Sequence, residues 1–248
     1  MNYIIFDLEF NQQHPDDIKD DNKPELLFEI IQIGALKLDS KFNTISTFNY
    51  LIKPNIHTKI HPYVENLTKI TEDELNKALD FKNVYNEFLK FIGNTDSVLV
   101  VWGTSDIKEL LKNIEFNKLS TSPIPKKYID IQSYATKLFK LPKGQKIGLK
   151  KAVEVLEIAV DGEFHDAFFD AHYTSEVFKS IYNKKIIPQV YNKTLEKRPK
   201  VKKEKLDSKA LINEFEKIYN RKMSKEEIQI IRLAYFMGKT KQFIIKDE

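Results

Sequence analysis

Residues 3–10 read Tyr3-Ile4-Ile5-Phe6-Asp7-Leu8-Glu9-Phe10. The Tyr, Ile and Phe content favours a strand. Successive strand side chains point to opposite faces, so Tyr3, Ile5, Asp7 and Glu9 share one face. Two carboxylates on one face near a strand end repel each other and lower β-propensity. A divalent cation would offset that cost, since Mg²⁺ and Mn²⁺ prefer carboxylate oxygen. The ordinary alternative is an exposed strand end with solvated acids.

Downstream, a polar stretch from Asn11 to Pro24 reads as a loop or flap. Two β-like runs, Phe28 to Leu38 and Ile45 to Ile52, flank Asp39-Ser40-Lys41 and Asn43, a hairpin signature. Thr71 and Glu74 form a capping box opening a helix expected to run to about Gly93. Ser97 to Trp102 reads as a short buried strand ended by Gly103, and Asp106 to Asn113 as a helix. Tyr128 to Ile131 reads as a further strand. Gly148 to Leu156 and Asp166 to Tyr182 read as helices, the second with Ala167, Ala171, Phe178 and Ile181 on one side. Three strands followed by alternating helices and strands imply a mixed α/β sheet, antiparallel first and parallel afterwards.

The chain has 248 residues, 42% hydrophobic and 31% charged, which supports a sizeable core and excludes general disorder. It has no Cys, so disulfides, thiolate catalysis and Cys-ligated metals are excluded. No apolar run reaches the roughly 18 residues of a membrane helix, and the N-terminus lacks signal-peptide features. A cytoplasmic protein without membrane contact is expected. Residues 188–248 carry 16 Lys and Arg against 9 Asp and Glu, while residues 1–187 carry 24 against 27. An acidic body with a basic tail points to a polyanionic partner. The expected division is a body over 1–187, a basic linker over 188–207 and a short helical extension over 208–248. The linker run is Lys193, Lys197, Arg198, Lys200, Lys202, Lys203 and Lys205, read either as a solvated linker or as phosphate contacts. Leu211, Phe215, Ile218 and Tyr219 face one way in the first tail helix; Ile228, Ile231 and Tyr235 form a stripe in the second. Two such helices bury too little to stand alone, so they should dock on the body or form a homodimer with a second copy.

Two further groups carry candidate chemistry. Asp106 follows an apolar strand and Gly103 at a helix start; it is either an N-cap with Glu109 as partner or a third acid at the sheet's C-terminal edge. His165-Asp166-Ala167-Phe168-Phe169-Asp170 is the other group. Positions five apart on a helix lie about 140° apart, so His165 and Asp170 share a site only if His165 precedes the helix. A loop His beside carboxylates is a good general base for water. The ordinary reading is a surface His165, with Asp166 and Asp170 favouring a helix N-terminus. His14, His57 and His61 lie in polar loops and read as surface residues; Trp102 reads as core, and His172 as packing or surface.

The ordered set, Asp-x-Glu on strand one, a middle Asp and His-x4-Asp on a late helix, resembles the DEDDh family of 3′→5′ exonucleases. These are DnaQ-like enzymes of the ribonuclease H-like fold. Glu29-Ile30-Ile31-Gln32-Ile33-Gly34-Ala35 resembles the family's second strand. Leu67-Thr68-Lys69-Ile70-Thr71 resembles its Leu-Thr-Gly-Ile segment, with Lys69 in place of the Gly. The resemblance covers roughly residues 1–185. The family's tyrosine variant places Tyr where this chain has Asp166, so the histidine class fits better. Phe6-Asp7-Leu8-Glu9-Phe10-Asn11 is similar to bacterial relatives of the ERI-type exoribonucleases, a group that includes inhibitors of the KinA pathway to sporulation.

The resemblance implies two Mg²⁺ or Mn²⁺ ions at Asp7, Glu9, Asp106 and Asp170, with Asp7 bridging and His165 taking the proton of the attacking water. It implies a single-stranded RNA or DNA 3′ end as partner and a nucleoside 5′-monophosphate as product. Phe10, Leu67 and Thr68 are candidate contacts to the terminal nucleotide, with ordinary packing as the alternative. RNA is slightly favoured. The alternatives are a DNA-directed, proofreading-type exonuclease and a regulatory binding protein on the same fold. A degenerate member would lose an acid or the His, and this chain retains all five.

Overall fold

The computed structural model describes residues 1–14, 26–93, 96–142, 144–192 and 207–239. Most of the expected flap and the whole basic run, Lys193 to Lys205, lie outside the described residues. The chain divides into two compact units, Met1–Tyr191 and Asn192–Glu248.

The first unit begins with β1 (Asn2–Asn11), β2 (Glu29–Leu38) and β3 (Thr44–Lys53). Then come α1 (Pro62–Thr68), α2 (Glu72–Lys77), β4 (Leu79–Asp80), α3 (Phe81–Ile92), β5 (Ser97–Val101) and α4 (Ser105–Phe116). It continues with β6 (Lys127–Asp130), α5 (Ile131–Leu138), α6 (Leu149–Val155), α7 (Ala167–Ile181) and β7 (Gln189–Val190). The strands form one mixed sheet in the order β4-β3-β2-β1-β5-β6-β7. β1, β2 and β3 pair antiparallel, while β1, β5 and β6 pair parallel, as the sequence order implies.

The first hairpin forms because Asp39 turns the chain itself: its Oδ1 accepts from Lys41 N at 2.8 Å and Asn43 N at 2.9 Å. β1 lies at the centre because it is apolar on both faces. Ile4, Phe6 and Leu8 enter a core with Phe81, Val84, Phe88, Ile107, Leu110 and Ile114 from α3 and α4. Tyr3 and Ile5 enter a second core on the opposite face, with Ala135, Val153, Ala171, Val177 and Phe178 from α5, α6 and α7. Burying one such side chain contributes about 1.5–3 kcal/mol.

The expected single helix over 71–93 is two helices with β4 between them. Thr71 caps α2 in the expected box with Glu74. The chain then leaves the helix at Ala78, and Asp80 caps α3 by accepting from Asn83 N at 2.8 Å. An Asp inside a helical pattern competes for backbone N–H groups, and here it starts a new helix. Leu79, inside that expected helix, is instead 48% exposed on β4. α1 was not anticipated. It ends at Lys69, whose φ of 62° is the left-handed conformation that glycine adopts freely. His57 is buried rather than on the surface, its Nε2 3.0 Å from Leu26 O, because the 55–57 backbone folds onto the Glu29 carboxylate. Trp102 is half-buried against the second core.

The second unit contains α8 (Ser208–Tyr219) and α9 (Lys225–Lys239), packed on each other. Ser224 and Glu227 make a capping box at the start of α9. Ile212 is the buried residue of α8, whereas Ile218 and Tyr219, expected on its inner face, are exposed. Leu211, Phe215, Ile228, Ile231 and Tyr235 are half-buried.

Candidate active site

Three segments far apart in sequence deliver acids to one place. Asp7 and Glu9 come from the C-terminal half of β1. Asp106 comes from the first turn of α4, which follows β5 through Gly103 (φ 91°). Asp170 comes from the first turn of α7. Parallel pairing sets Ile5 of β1 against Val100, so the C-terminal end of β5 lies beside the middle of β1, next to Asp7, at an edge where open α/β sheets bind ligands.

Asp106 is not an N-cap: Thr104 occupies that position without a side-chain cap bond, and no capping box with Glu109 forms. Asp106 instead lies inside the helix, 9% exposed, facing the other acids. His165 sits just before Asp166, the N-cap of α7, and its backbone N donates to Asp170 Oδ2 at 3.2 Å. One ligand atom each from Glu9, His165 and Asp170 lies within 4.8 Å of the others.

Burial first, and then the charges of Asp106, Asp170 and Glu9, push the Asp7 carboxyl well above the usual range. Burial and the Asp170 charge raise Glu9 to about 8, and burial with Asp170 and Glu109 raises Asp106 to about 7. Burial raises Asp170 to about 6 against the lowering bond from His165 N. Among the described residues, none of these four acids pairs with Lys or Arg. Asp170 Oδ1 is buried without a hydrogen-bond partner. Such an orphaned oxygen among mutually repelling carboxyls is costly unless positive charge joins them. The four carboxyls offer an all-oxygen donor set, which suits Mg²⁺ or Mn²⁺.

Of the candidate nucleotide contacts, Phe10 packs half-buried against the α3–α4 side of the sheet, its ring 6.2 Å from that of Phe28. Leu67 and Thr68 end α1, half-buried. Thr68 lines a concavity of about 300 Å³ with Gln32, Asn49, Lys69, Glu74 and Asp166, and Asp166 in turn acts electrostatically on Glu9. His172 is half-buried, its ring edge-on to Tyr173 at 5.7 Å.

The sequence did not single out what holds His165. Tyr173 on α7 is fully buried; its hydroxyl donates to Gly162 O at 2.7 Å and accepts from Gly162 N at 2.8 Å. Phe164 lies 4.8 Å from the Tyr173 ring. Gly162 leaves no room for a side chain, since a Cβ there would come within 2.3 Å of the Phe169 ring. A glycine ahead of the His-x4-Asp run was the available signal.

Residues 4–178 match the family RNase T, described as Exonuclease. Human 3′-5′ exoribonuclease 1 is 28% identical over 158 residues, which cover 60% of this chain and 45% of that protein. The probable 3′-5′ exonuclease KapD of Bacillus subtilis is 26% identical over 118 residues, 47% of this chain and 54% of that one. The chain thus spans about half the length of these relatives. Among solved structures, the nuclease domain of 3′hExo, a DEDDh family member bound to rAMP, superposes with a TM-score of 0.64 at 23% identity. That match covers 77% of this chain and 96% of the domain.

Proposed function

Since the chain belongs to the RNase T exonuclease family, we propose that it is a metal-dependent 3′→5′ exonuclease acting on single-stranded nucleic acid, RNA in preference to DNA. The observation that carries the reading is the convergence of Asp7, Glu9, Asp106 and Asp170 beside a histidine, with no Lys or Arg paired to them among the described residues. The RNA preference is supported by the name of the human relative and the rAMP of the structural neighbour.

Asp7, Glu9, Asp106 and Asp170 would hold two Mg²⁺ or Mn²⁺ ions, which supply a more acidic water and charge stabilisation at the scissile phosphate. The chain's own residues do the rest. Asp7, flanked by the other three acids, is central to the charge arrangement. The His165 ring, exposed at the mouth of the site, accepts the water's proton at an imidazole nitrogen. Asp170 fixes the His165 backbone through its Oδ2. Thr68 and Leu67 line the approach of the terminal nucleotide, and Phe10 supports β1 from the other face. The attack breaks the bond to the 3′ oxygen, so the product is a nucleoside 5′-monophosphate. No described helix is long and apolar enough to cross a membrane.

The test uses 5′-labelled RNA and DNA of one sequence, with Mg²⁺ or Mn²⁺. The labelled strand should shorten from its 3′ end, faster for RNA, with 5′-mononucleotides released and EDTA stopping the reaction. Asp7→Ala should abolish it. Products bearing 3′-phosphates, or activity undiminished by EDTA, would refute the two-metal reading. DNA cleaved as fast as RNA would refute the preference.

A further inference from the structure

We infer that Gln32 is a positioning residue for the reaction proposed above, on which this inference rests: it clamps the first turn of α7 onto β2 and thereby sets His165 and Asp170 against Asp7 and Glu9.

Gln32 is 3% exposed, and its amide is used at both ends. Nε2 donates to Asp166 Oδ2 at 3.1 Å and to Asn49 Oδ1 at 3.0 Å. Oε1 accepts from Ala167 N at 3.1 Å. Asp166 holds the helix start with its other oxygen, Oδ1, which accepts from Phe168 N at 2.9 Å and Phe169 N at 3.2 Å. One carboxylate therefore ties the strand to the helix, with His165 on one side of it and Asp170 one turn along on the other.

The clamp lies opposite the acids. In the β1–β2 register Gln32 faces Glu9 and Gly34 faces Asp7. A Cβ at Gly34 would lie 2.1 Å from Ala167 C and Phe168 N, so the helix backbone rests directly on the strand there. β2 thus fixes both the height of α7, through Gly34, and its position along the strand, through Gln32. A hydrocarbon of similar volume would fill the space and leave Ala167 N without its acceptor. Glutamate would keep that acceptor and set an oxygen against Asp166 and Asn49. Among these groups, only an amide offers a donor to the carboxylate and an acceptor to the helix N–H together.

The experiment is a swap across the clamp. Gln32→Glu alone, and Asp166→Asn alone, each oppose like groups at the contact. Each should lower kcat about 10–100-fold, the usual span for residues that orient metal-site ligands, with KM for a short oligonucleotide unchanged. The double variant Gln32→Glu/Asp166→Asn restores a donor–acceptor pair, with the Asn49 amide turned over, and should recover most of the turnover. The second readout is amide exchange without metal or substrate. Ala167 N should exchange faster in Gln32→Leu than in wild type, while Tyr173 to Ile181 stay protected. If Gln32→Glu fails to fold, Asp166→Asn tests the same contact from the helix side. Wild-type turnover in the single variants, no recovery in the double variant, or unchanged Ala167 exchange would each overturn the clamp. An inactive wild type would refute the proposed function instead, and the exchange comparison would still decide the clamp.

Discussion

His165 has a backbone φ of 69°, in the left-handed region that L-residues enter at a cost of about 1–2 kcal/mol. Sites that retain such a residue do so because the surroundings over-determine it. Here the Tyr173–Gly162 bonds hold the loop before it and the Asp166 cap holds the helix after it. The conformation puts its backbone N on Asp170 and leaves its ring exposed beside Glu9. This separates stability from catalysis at one position. His165→Gly should relieve the backbone and leave the melting temperature unchanged or higher. Turnover should fall about 10²–10⁴-fold, the span of acid–base catalysis. Divalent-ion binding, measured by calorimetry, should persist through the four carboxyls. His172→Ala is the matched control and should keep its turnover, since that ring packs edge-on to Tyr173. A His165→Gly protein with near-normal turnover would remove the imidazole from the mechanism.

At the scale of elements, the contact of α7 with β2 decides whether the residues at the helix start can act. Gly34→Ala would push a methyl group into the helix backbone, which cannot yield as a flexible side chain does. Overpacking of this kind typically costs about 1–3 kcal/mol, visible as a lower urea midpoint. Turnover should fall further than stability alone explains, because the displaced turn carries Asp170. An alanine variant with both quantities unchanged would show that α7 docks elsewhere. This contact also marks what the sequence could and could not convey. Alternation along Tyr3 to Phe10 put Asp7 and Glu9 on one face, and the five-residue spacing placed His165 ahead of its helix. Both are local geometry, legible in a single segment. Gln32 and Ala167 lie 135 residues apart, and β2 also carries Glu29 and Lys37, so nothing local distinguishes Gln32 as a clamp. The break at Leu79–Asp80 was hidden for a related reason. The apolar spacing continues across it, while β3 recruits those two residues into the sheet. His57 looked solvated because its burial depends on Glu29, 28 residues away.

For the whole molecule, the sheet order carries a cost that ligand binding must offset. Joining β1, the start of α4 and the start of α7 at one edge brings four carboxyls together, and among the described residues no Lys or Arg pairs with them. Their pKa values are raised, with Asp170 at about 6, Asp106 at about 7, Glu9 at about 8 and Asp7 well above its usual value. Unfolded carboxyls titrate near about 4, so between about pH 4 and pH 8 the native state binds more protons than the unfolded state. Stability from these groups is therefore fully present below about pH 4 and is lost as pH rises through their folded values. Asp39 and Glu74 act oppositely: hydrogen bonds lower their pKa values, and their contribution is lost as pH falls through those values. In EDTA, the melting temperature should fall from about pH 5 to about pH 8. With Mg²⁺ or Mn²⁺ it should fall less, because ions bound only by the native state stabilise it, by about 2.7 kcal/mol at a hundredfold excess over Kd. The gap between the two curves should widen with pH. Asp7→Asn combined with Glu9→Gln should flatten the EDTA curve, raise the melting temperature at the alkaline end and narrow the gap. Those three changes belong together, because one set of carboxyls both repels itself when empty and holds the cations when loaded. A flat or rising EDTA curve in the unaltered protein would mean that the acids are already neutralised from within the chain, and the case for a resident divalent ion would fall with it.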